Sequence, residues 1–242
     1  SSFCCPPNLA RMIAEAGSYA YAQSPGTVWV NLYGGSTLTT MLDGDRPLTL
    51  TQESAYPWDG HIRLTVNETD GAEFTLKLRI PEWSHDARVS INGKAEPLDA
   101  GSYASLTRQW IPGDVVSLEL PMAARLIEAN PLVEETLNQF AVKRGPIVYC
   151  LESADLPPGV RVGDVSLSPD IRLTAQLEPQ LLDGVVVLQG TADVRPSGDW
   201  EGRLYREVQP TPTNEVPIRL VPYYAWGNRG PGEMTVWMPR TR

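Results

Sequence analysis

Residues 74–80 read Phe74-Thr75-Leu76-Lys77-Leu78-Arg79-Ile80, a strict alternation of apolar and polar side chains. Successive side chains of a β-strand point to opposite faces of its sheet, so the apolar side chains share one face and the polar ones the other. A strand of this kind turns one face toward a packed core and the other toward solvent. The stretch therefore predicts a layered antiparallel β-fold.

Other β-prone runs surround this stretch, and each is bounded by glycine, proline, asparagine or aspartate. The runs are Thr27–Tyr33, Leu48–Gln52, His61–Val66, Arg88–Ile91 and Val115–Leu120. Asn92-Gly93 and Asp70-Gly71 are strong hairpin signals because these residues tolerate the positive φ angles of tight turns. We interpret residues 26–125 as an antiparallel β-sandwich.

A second β-rich block follows and predicts a second antiparallel β-sandwich over residues 126–242. Its best strand candidates are Val142–Leu151, Val185–Leu188, Ile218–Val221 and Thr235–Met238. The segment Leu132–Phe140 fits either a short helix or a strand. The predicted fold is therefore mainly β, with one helix ahead of two sandwiches.

The helix is predicted near the N-terminus, from Leu9 to Ala22. Its apolar residues recur with the spacing of one helix face, at Leu9, Met12, Ile13, Ala16 and Ala20. Asn8 is the predicted N-cap, and Ser24-Pro25-Gly26 the predicted stop. This arrangement puts two adjacent cysteines, Cys4 and Cys5, on the loop just before the helix, where the helix dipole favours a thiolate.

A lone helix cannot bury its own apolar stripe and must pack on something. It packs either on the sandwich or within a larger helical domain of which it is the last helix. We favour the second alternative and assign residues 1–25 to the end of such a domain.

The cysteine pair is the chemically unusual feature of the chain. Two neighbouring thiolates can bind a soft metal together, or one can act as a nucleophile while the metal keeps it deprotonated. The structural alternatives are a strained vicinal disulfide or two unreactive thiols. Cys150 lies in an apolar run and is predicted to be a buried strand residue. His61 and His85 lack metal-ligand spacing and are predicted to have surface or structural roles.

The composition is that of an ordinary globular protein, with 42% hydrophobic and 20% charged residues among 242. A net charge of −9 argues against nucleic acid or an anionic membrane as a partner, since both require a basic patch. A neutral ligand fits better. The sequence shows no membrane span and no secretion signal, and three cysteines are too few for a disulfide framework. We therefore expect a cytoplasmic location.

The N-terminal residues resemble one known family. Cys4-Cys5-Pro6-Pro7-Asn8, followed at once by an amphipathic helix, is similar to the end of the catalytic domain in the β-L-arabinofuranosidases of glycoside hydrolase family 127. Further segments agree with this family in order along the chain: Val30–Tyr33, Leu78–Trp83, Lys143–Tyr149 and Pro222–Gly232. The double cysteine is the specific motif, and the strand motifs support it collectively.

The resemblance implies an (α/α)6 barrel followed by two β-sandwiches, with residues 1–25 as the remnant of the barrel. It also implies a zinc-dependent retaining hydrolase that releases L-arabinose from β-L-arabinofuranosides. By the same resemblance Cys4 is the nucleophile and a zinc ligand, and Cys5 is a zinc ligand only. An acid/base glutamate and the remaining zinc ligands, a cysteine and a glutamate, belong to the barrel, so this chain alone is expected to be inactive. The expected partners are a glycoside substrate, the barrel and a second copy in a homodimer.

The alternative interpretation is a non-catalytic carbohydrate-binding or scaffolding pair of β-sandwiches. Several tryptophans stand beside turn or proline residues, where an exposed ring can contact a sugar. They are Trp58, Trp83, Trp110 and Trp226. Core packing is nevertheless the commoner fate of a tryptophan side chain.

Overall fold

A computed structural model describes residues 3–98, 101–195, 198, 202–207 and 212–241. The chain forms two compact units, residues 1–122 and residues 123–242, where the sequence places a boundary after residue 125. Both units consist mainly of β-strands, and the described residues contain one α-helix. The predicted fold class is confirmed.

The helix, α1, spans Cys5–Glu15 and begins earlier than predicted, so Cys4 rather than Asn8 is the N-cap. Proline is favoured in the first helical turn because its missing N–H would have no partner there, which brings Pro6 and Pro7 inside the helix. The predicted end at Ala22 is also wrong. A 3₁₀ turn, Ala16–Tyr19, leads into a strand whose pairing overrides the helical pattern.

The first unit contains two sheets that face each other across one core. Their strands are β1 (Tyr21–Ser24), β2 (Thr27–Val30), β3 (Ser36–Leu42), β4 (Arg46–Ser54), β5 (His61–Thr69), β6 (Glu73–Arg79), β7 (Arg88–Ile91), β8 (Lys94–Glu96), β9 (Tyr103–Gln109) and β10 (Val115–Glu119). One sheet has the order β1-β2-β6-β9 and the other β3-β4-β5-β10-β7-β8. All neighbours are antiparallel except β2 and β6, which run parallel.

Strand β6 confirms the prediction made from its alternating sequence, that its apolar side chains face the core. Phe74, Leu76 and Leu78 are buried, and they pack with residues of both sheets in one hydrophobic cluster. Trp110 is fully buried beside Phe74 and donates its indole N–H to the Phe74 carbonyl at 3.0 Å. The periodicity of a single strand thus identifies the centre of this core.

The two predicted hairpin turns have different outcomes. Asn92 and Gly93 have positive φ angles and join β7 to β8, as predicted. Asp70 and Gly71 also form a turn, with φ +78° at Gly71, but they connect β5 in one sheet to β6 in the other. The predicted hairpin there is wrong, because the turn residues fix the reversal and not the sheet that the next strand joins.

The second unit contains one branched sheet of nine strands. They are β11 (Ala124–Ile127), β12 (Gln139–Arg144), β13 (Ile147–Glu152), β14 (Val165–Ser166), β15 (Thr174–Glu178), β16 (Val185–Val194), β17 (Asn214–Pro222), β18 (Met234–Thr235) and β19 (Met238–Pro239). The main order is β11-β12-β13-β17-β16-β14, with β15 on β16, β18 on β13 and β19 on β12.

This sheet curls back on itself, since Leu167 beside β14 bridges Arg240 beside β19. The curled layers enclose buried residues of β13, β16 and β17 in a sandwich-like unit. The predicted single strand Val142–Leu151 is two strands joined at Gly145, whose φ is positive. The segment Leu132–Phe140 contains a 3₁₀ turn, Glu134–Thr136, before β12 begins.

Candidate functional site

The two predicted site cysteines lie together at the N-terminus of α1. Cys4 is the N-cap and Cys5 the first helical residue, and both side chains are exposed free thiols. Their Sγ atoms are 3.6 Å apart. The start of the helix therefore places the two sulfur atoms close enough to bind one ion. Adjacency in the sequence alone does not guarantee this, because neighbouring side chains can point in different directions.

This separation matches the bite of a tetrahedral metal ion. Two thiolates bound to one zinc at about 2.3 Å with a tetrahedral angle have sulfur atoms about 3.8 Å apart. Cys4 and Cys5 need to move by only a few tenths of an ångström to reach it. The pair thus fits two adjacent corners of a zinc site.

The described part of the chain does not bring a third donor to this pair. Among these residues no group of three or more histidine, cysteine, aspartate or glutamate side chains is placed to hold a metal ion. His61 and His85 are exposed, which confirms their predicted surface role. This chain therefore offers two metal donors and not a complete site.

Cys150 is buried in β13, as predicted. Its thiol donates to the Val221 carbonyl, with 3.6 Å between the two atoms. Burial raises the pKa of the Cys150 thiol to about 12, because an apolar environment disfavours the thiolate. This cysteine is an inert core residue.

The apolar stripe of α1 is exposed in the described structure. Leu9, Met12 and Ile13 lie on one side of the helix as their spacing predicts, yet α1 buries none of its residues against the described chain. Three large apolar side chains side by side on a solvent-facing helix form a surface suited to packing on another element. The cysteine pair and this stripe occupy the same short helix.

One concave surface of the described structure lies apart from α1. A cleft of about 720 Å³ in the first unit is lined by residues that include Ile91, Glu96 and Arg108, and none of its lining residues belongs to α1.

Among the described residues no helix combines the length and the apolar character that a membrane span requires.

A buried charge cluster in the second unit was not predicted. The Arg229 guanidinium donates to Asp155 Oδ1 at 2.9 Å and to Glu152 Oε2 at 3.0 Å. Arg219 reaches the same Asp155 carboxylate at 2.6 Å and Glu178 at 3.0 Å. The Asp155 side chain is fully buried, and hydrogen bonding to it raises the pKa of Arg229. These partners are 41 to 77 residues apart, a separation that no local pattern reveals.

The four candidate sugar-contact tryptophans have different environments. Trp110 is fully buried, which confirms the common core role, and Trp58 and Trp83 are half-buried. Trp226 is exposed, beside Tyr223 and Tyr224, on the loop that carries Arg229. Only this loop presents a group of adjacent exposed aromatic residues in the described structure.

Comparison with known proteins covers nearly the whole chain. The middle domain of the GH127 beta-L-arabinofuranosidases matches residues 27–122, and the C-terminal domain of glycoside hydrolase family 127 matches residues 124–239. A non-reducing end beta-L-arabinofuranosidase of Bifidobacterium longum subsp. longum is 34% identical over 251 residues, which cover 98% of this chain and 37% of that protein.

Solved structures agree. A GH127 beta-L-arabinofuranosidase from Geobacillus stearothermophilus T6 has a TM-score of 0.91 at 45% identity, over 98% of this chain and 37% of that one. A GH127 beta-arabinofuranosidase has a TM-score of 0.88 at 34% identity, over 98% of this chain and 38% of its own. The chain thus spans little more than a third of the length of these relatives.

Proposed function

This chain belongs to glycoside hydrolase family 127, and on that premise we propose that it contributes to an enzyme that hydrolyses β-L-arabinofuranosides with a cysteine nucleophile. The observation that carries the proposal is the vicinal thiol pair, with its Sγ atoms 3.6 Å apart at the N-terminus of α1. Exposed thiols in this position are open to a substrate.

We assign Cys4 and Cys5 as two ligands of a zinc ion, because their separation fits a tetrahedral site. When bound, the zinc keeps the thiols ionised at neutral pH. The remaining ligands and the acid/base group are proposed to come from a helical region, as the family resemblance implies. The exposed stripe of Leu9, Met12 and Ile13 is the surface proposed to pack against that region.

Cys4 is the proposed nucleophile. Its thiolate Sγ attacks the anomeric carbon, so that a C–S bond forms while the bond to the leaving oxygen breaks, and that oxygen takes a proton from the general acid. Water then attacks the same carbon and gives its proton to the same group, now acting as a base. The C–S bond breaks and the thiolate is regenerated. Two displacements at one carbon give net retention of configuration.

The test compares cysteine variants of the full-length protein that contains this chain. We measure zinc content by elemental mass spectrometry and turnover of p-nitrophenyl β-L-arabinofuranoside. Cys4→Ser is expected to lower turnover on the order of 10³-fold or more, because a serine hydroxyl is a far weaker nucleophile at neutral pH. Cys5→Ser is expected to lose both zinc and turnover. Cys150→Ala is the matched control and keeps both. Wild-type turnover in Cys4→Ser would contradict the proposal.

A further inference from the structure

A second surface, unrelated to the cysteine pair, stands out in the second unit. We call residues 223–230 the aromatic loop. Tyr223, Tyr224 and Trp226 are 45%, 62% and 43% exposed, although tryptophan is highly buried on average and tyrosine is at least partly buried. Each has an apolar ring and a polar tip.

The backbone of the aromatic loop directs two of these rings to the same side. Residues Tyr223–Ala225 form a 3₁₀ turn, and the Trp226 N–H donates to the Tyr223 carbonyl at 3.3 Å. Side chains three residues apart eclipse one another in a 3₁₀ turn, so this geometry favours Tyr223 and the C-cap residue Trp226 on the same side. Ala225 is buried and holds the opposite side of the turn against the unit.

The aromatic loop is held on the second unit by hydrogen bonds and ion pairs to two carboxylates. The Gly227 N–H donates to Glu152 Oε1 at 2.9 Å, and Arg229 pairs with both Glu152 and the fully buried Asp155. Asn228 adds a hydrogen bond from its side-chain amide to the Ala225 carbonyl at 3.0 Å. A loop held by several buried polar contacts loses little conformational entropy when a ligand binds. The exposed rings are therefore preorganised.

We propose that the aromatic loop binds a neutral saccharide. The C–H face of a sugar ring stacks on an aromatic ring, and the phenol and indole tips can hydrogen-bond to sugar hydroxyls. The net charge of −9 disfavours anionic ligands. Three half-exposed rings offer roughly 300 Å² of aromatic surface, which suits one or two sugar units. A stable protein partner requires about 800 Å² on each side.

The proposal rests on membership of a glycoside hydrolase family for the class of ligand, but not on the cysteine chemistry. The aromatic loop lies in the second unit and α1 in the first. Saccharide binding by the loop is expected to persist when the proposed nucleophile is removed. Cys4→Ser therefore separates a failure of one proposal from a failure of the other.

The experiment is affinity electrophoresis of the 242-residue chain in native gels that contain sugar-beet arabinan, larch arabinogalactan or dextran. We expect retardation by at least one of the two arabinose-containing glycans and none by dextran. The double variant Tyr223→Ala/Trp226→Ala is expected to bind about tenfold more weakly or worse, since it removes the stacking surface. Trp226→Phe, which keeps a ring, is expected to be intermediate. Tyr19→Ala removes an even more exposed ring (60%) from the first unit and is expected to bind like wild type.

Circular dichroism verifies that each variant is folded. If the double variant does not fold, the binding of Trp226→Phe tests the proposal instead. The proposal is overturned if wild type is not retarded by either arabinose-containing glycan. It is also overturned if the folded double variant binds like wild type or, where the double variant does not fold, if Trp226→Phe binds like wild type. Finally, it is overturned if sedimentation shows a dimer that the double variant dissociates, because the loop is then an interface between copies.

Discussion

Helix α1 and the aromatic loop both expose large apolar side chains, but they are held in opposite ways. Helix α1 buries none of its residues in the described chain. The aromatic loop is fixed by Arg229 on a buried pair of carboxylates. Exposure of apolar side chains thus has two meanings. An apolar surface with its own anchor is ready to bind a ligand, whereas one without an anchor depends on a further element to order it.

The same contrast holds for the thiols. Cys4 and Cys5 are open to solvent, whereas Cys150 is sealed in β13. The accessible thiols thus lie on the unanchored helix, and the inaccessible thiol lies in the core of the second unit.

The largest expected effect is in thiol reactivity. In the native chain, dithionitrobenzoate is expected to modify Cys4 and Cys5 on the order of 10³-fold faster than Cys150, which is buried and whose pKa is raised to about 12. In denaturant all three cysteines react at similar rates. Mass spectrometry of the labelled chain assigns each site. Fast native labelling of Cys150 would contradict its burial and show that the core around β13 opens in the native chain.

Arg229→Met is expected to lower the free energy of unfolding by about 1–3 kcal/mol, because among the described residues the buried Asp155 carboxylate keeps only Arg219 and the Glu152 carboxylate keeps only the Gly227 N–H. Urea denaturation monitored by circular dichroism measures the loss. Arg161→Met is the matched control, since its pair with Glu233 is exposed and contributes about 0–1 kcal/mol. Equal effects of the two substitutions would show that the aromatic loop is not anchored by this cluster.

A structural feature can be predicted from the sequence when the residues that determine it are close together along the chain. The alternation at Phe74–Ile80 identifies a half-buried strand because side-chain direction is a local property. The Asp70-Gly71 turn is equally local, but the sheet that receives β6 is decided by long-range packing, so the predicted hairpin fails. The cysteine motif is visible in sequence, whereas the distance between its sulfur atoms requires the start of α1.

The Arg229 cluster marks the limit of sequence prediction. It joins Glu152 and Asp155 to a residue more than 70 positions away, and no periodicity or turn signal relates them. Trp226 was a candidate for sugar contact from its sequence context alone. Its neighbours and its anchor required the fold.

An exposed ion pair in the first unit offers a weaker counterpart of the Arg229 cluster. Hydrogen bonding from Arg46 at 2.7 Å holds the pKa of Asp70 below its usual range. Because the pKa is lower in the folded state, the pair stabilises the fold above the unfolded-state pKa, and this contribution is lost as pH falls through the folded-state pKa. Asp70→Asn is expected to lower Tm by about 1–2 °C at pH 7. The difference from wild type is expected to vanish in strong acid. A constant difference from pH 7 to pH 2 would exclude this origin.

The smallest expected effect concerns α1 itself. Replacing Leu9, Met12 and Ile13 together by glutamine is expected to change the free energy of unfolding of this chain by less than about 0.5 kcal/mol, since all three side chains are mostly exposed. Leu76→Ala, in the core of the first unit, is the control and is expected to cost about 2–5 kcal/mol. A loss above about 1 kcal/mol in the helix variant would mean that α1 packs on its own unit. The contrast with the aromatic loop would then disappear, and the stripe would no longer be available to the helical region on which the proposed active site depends.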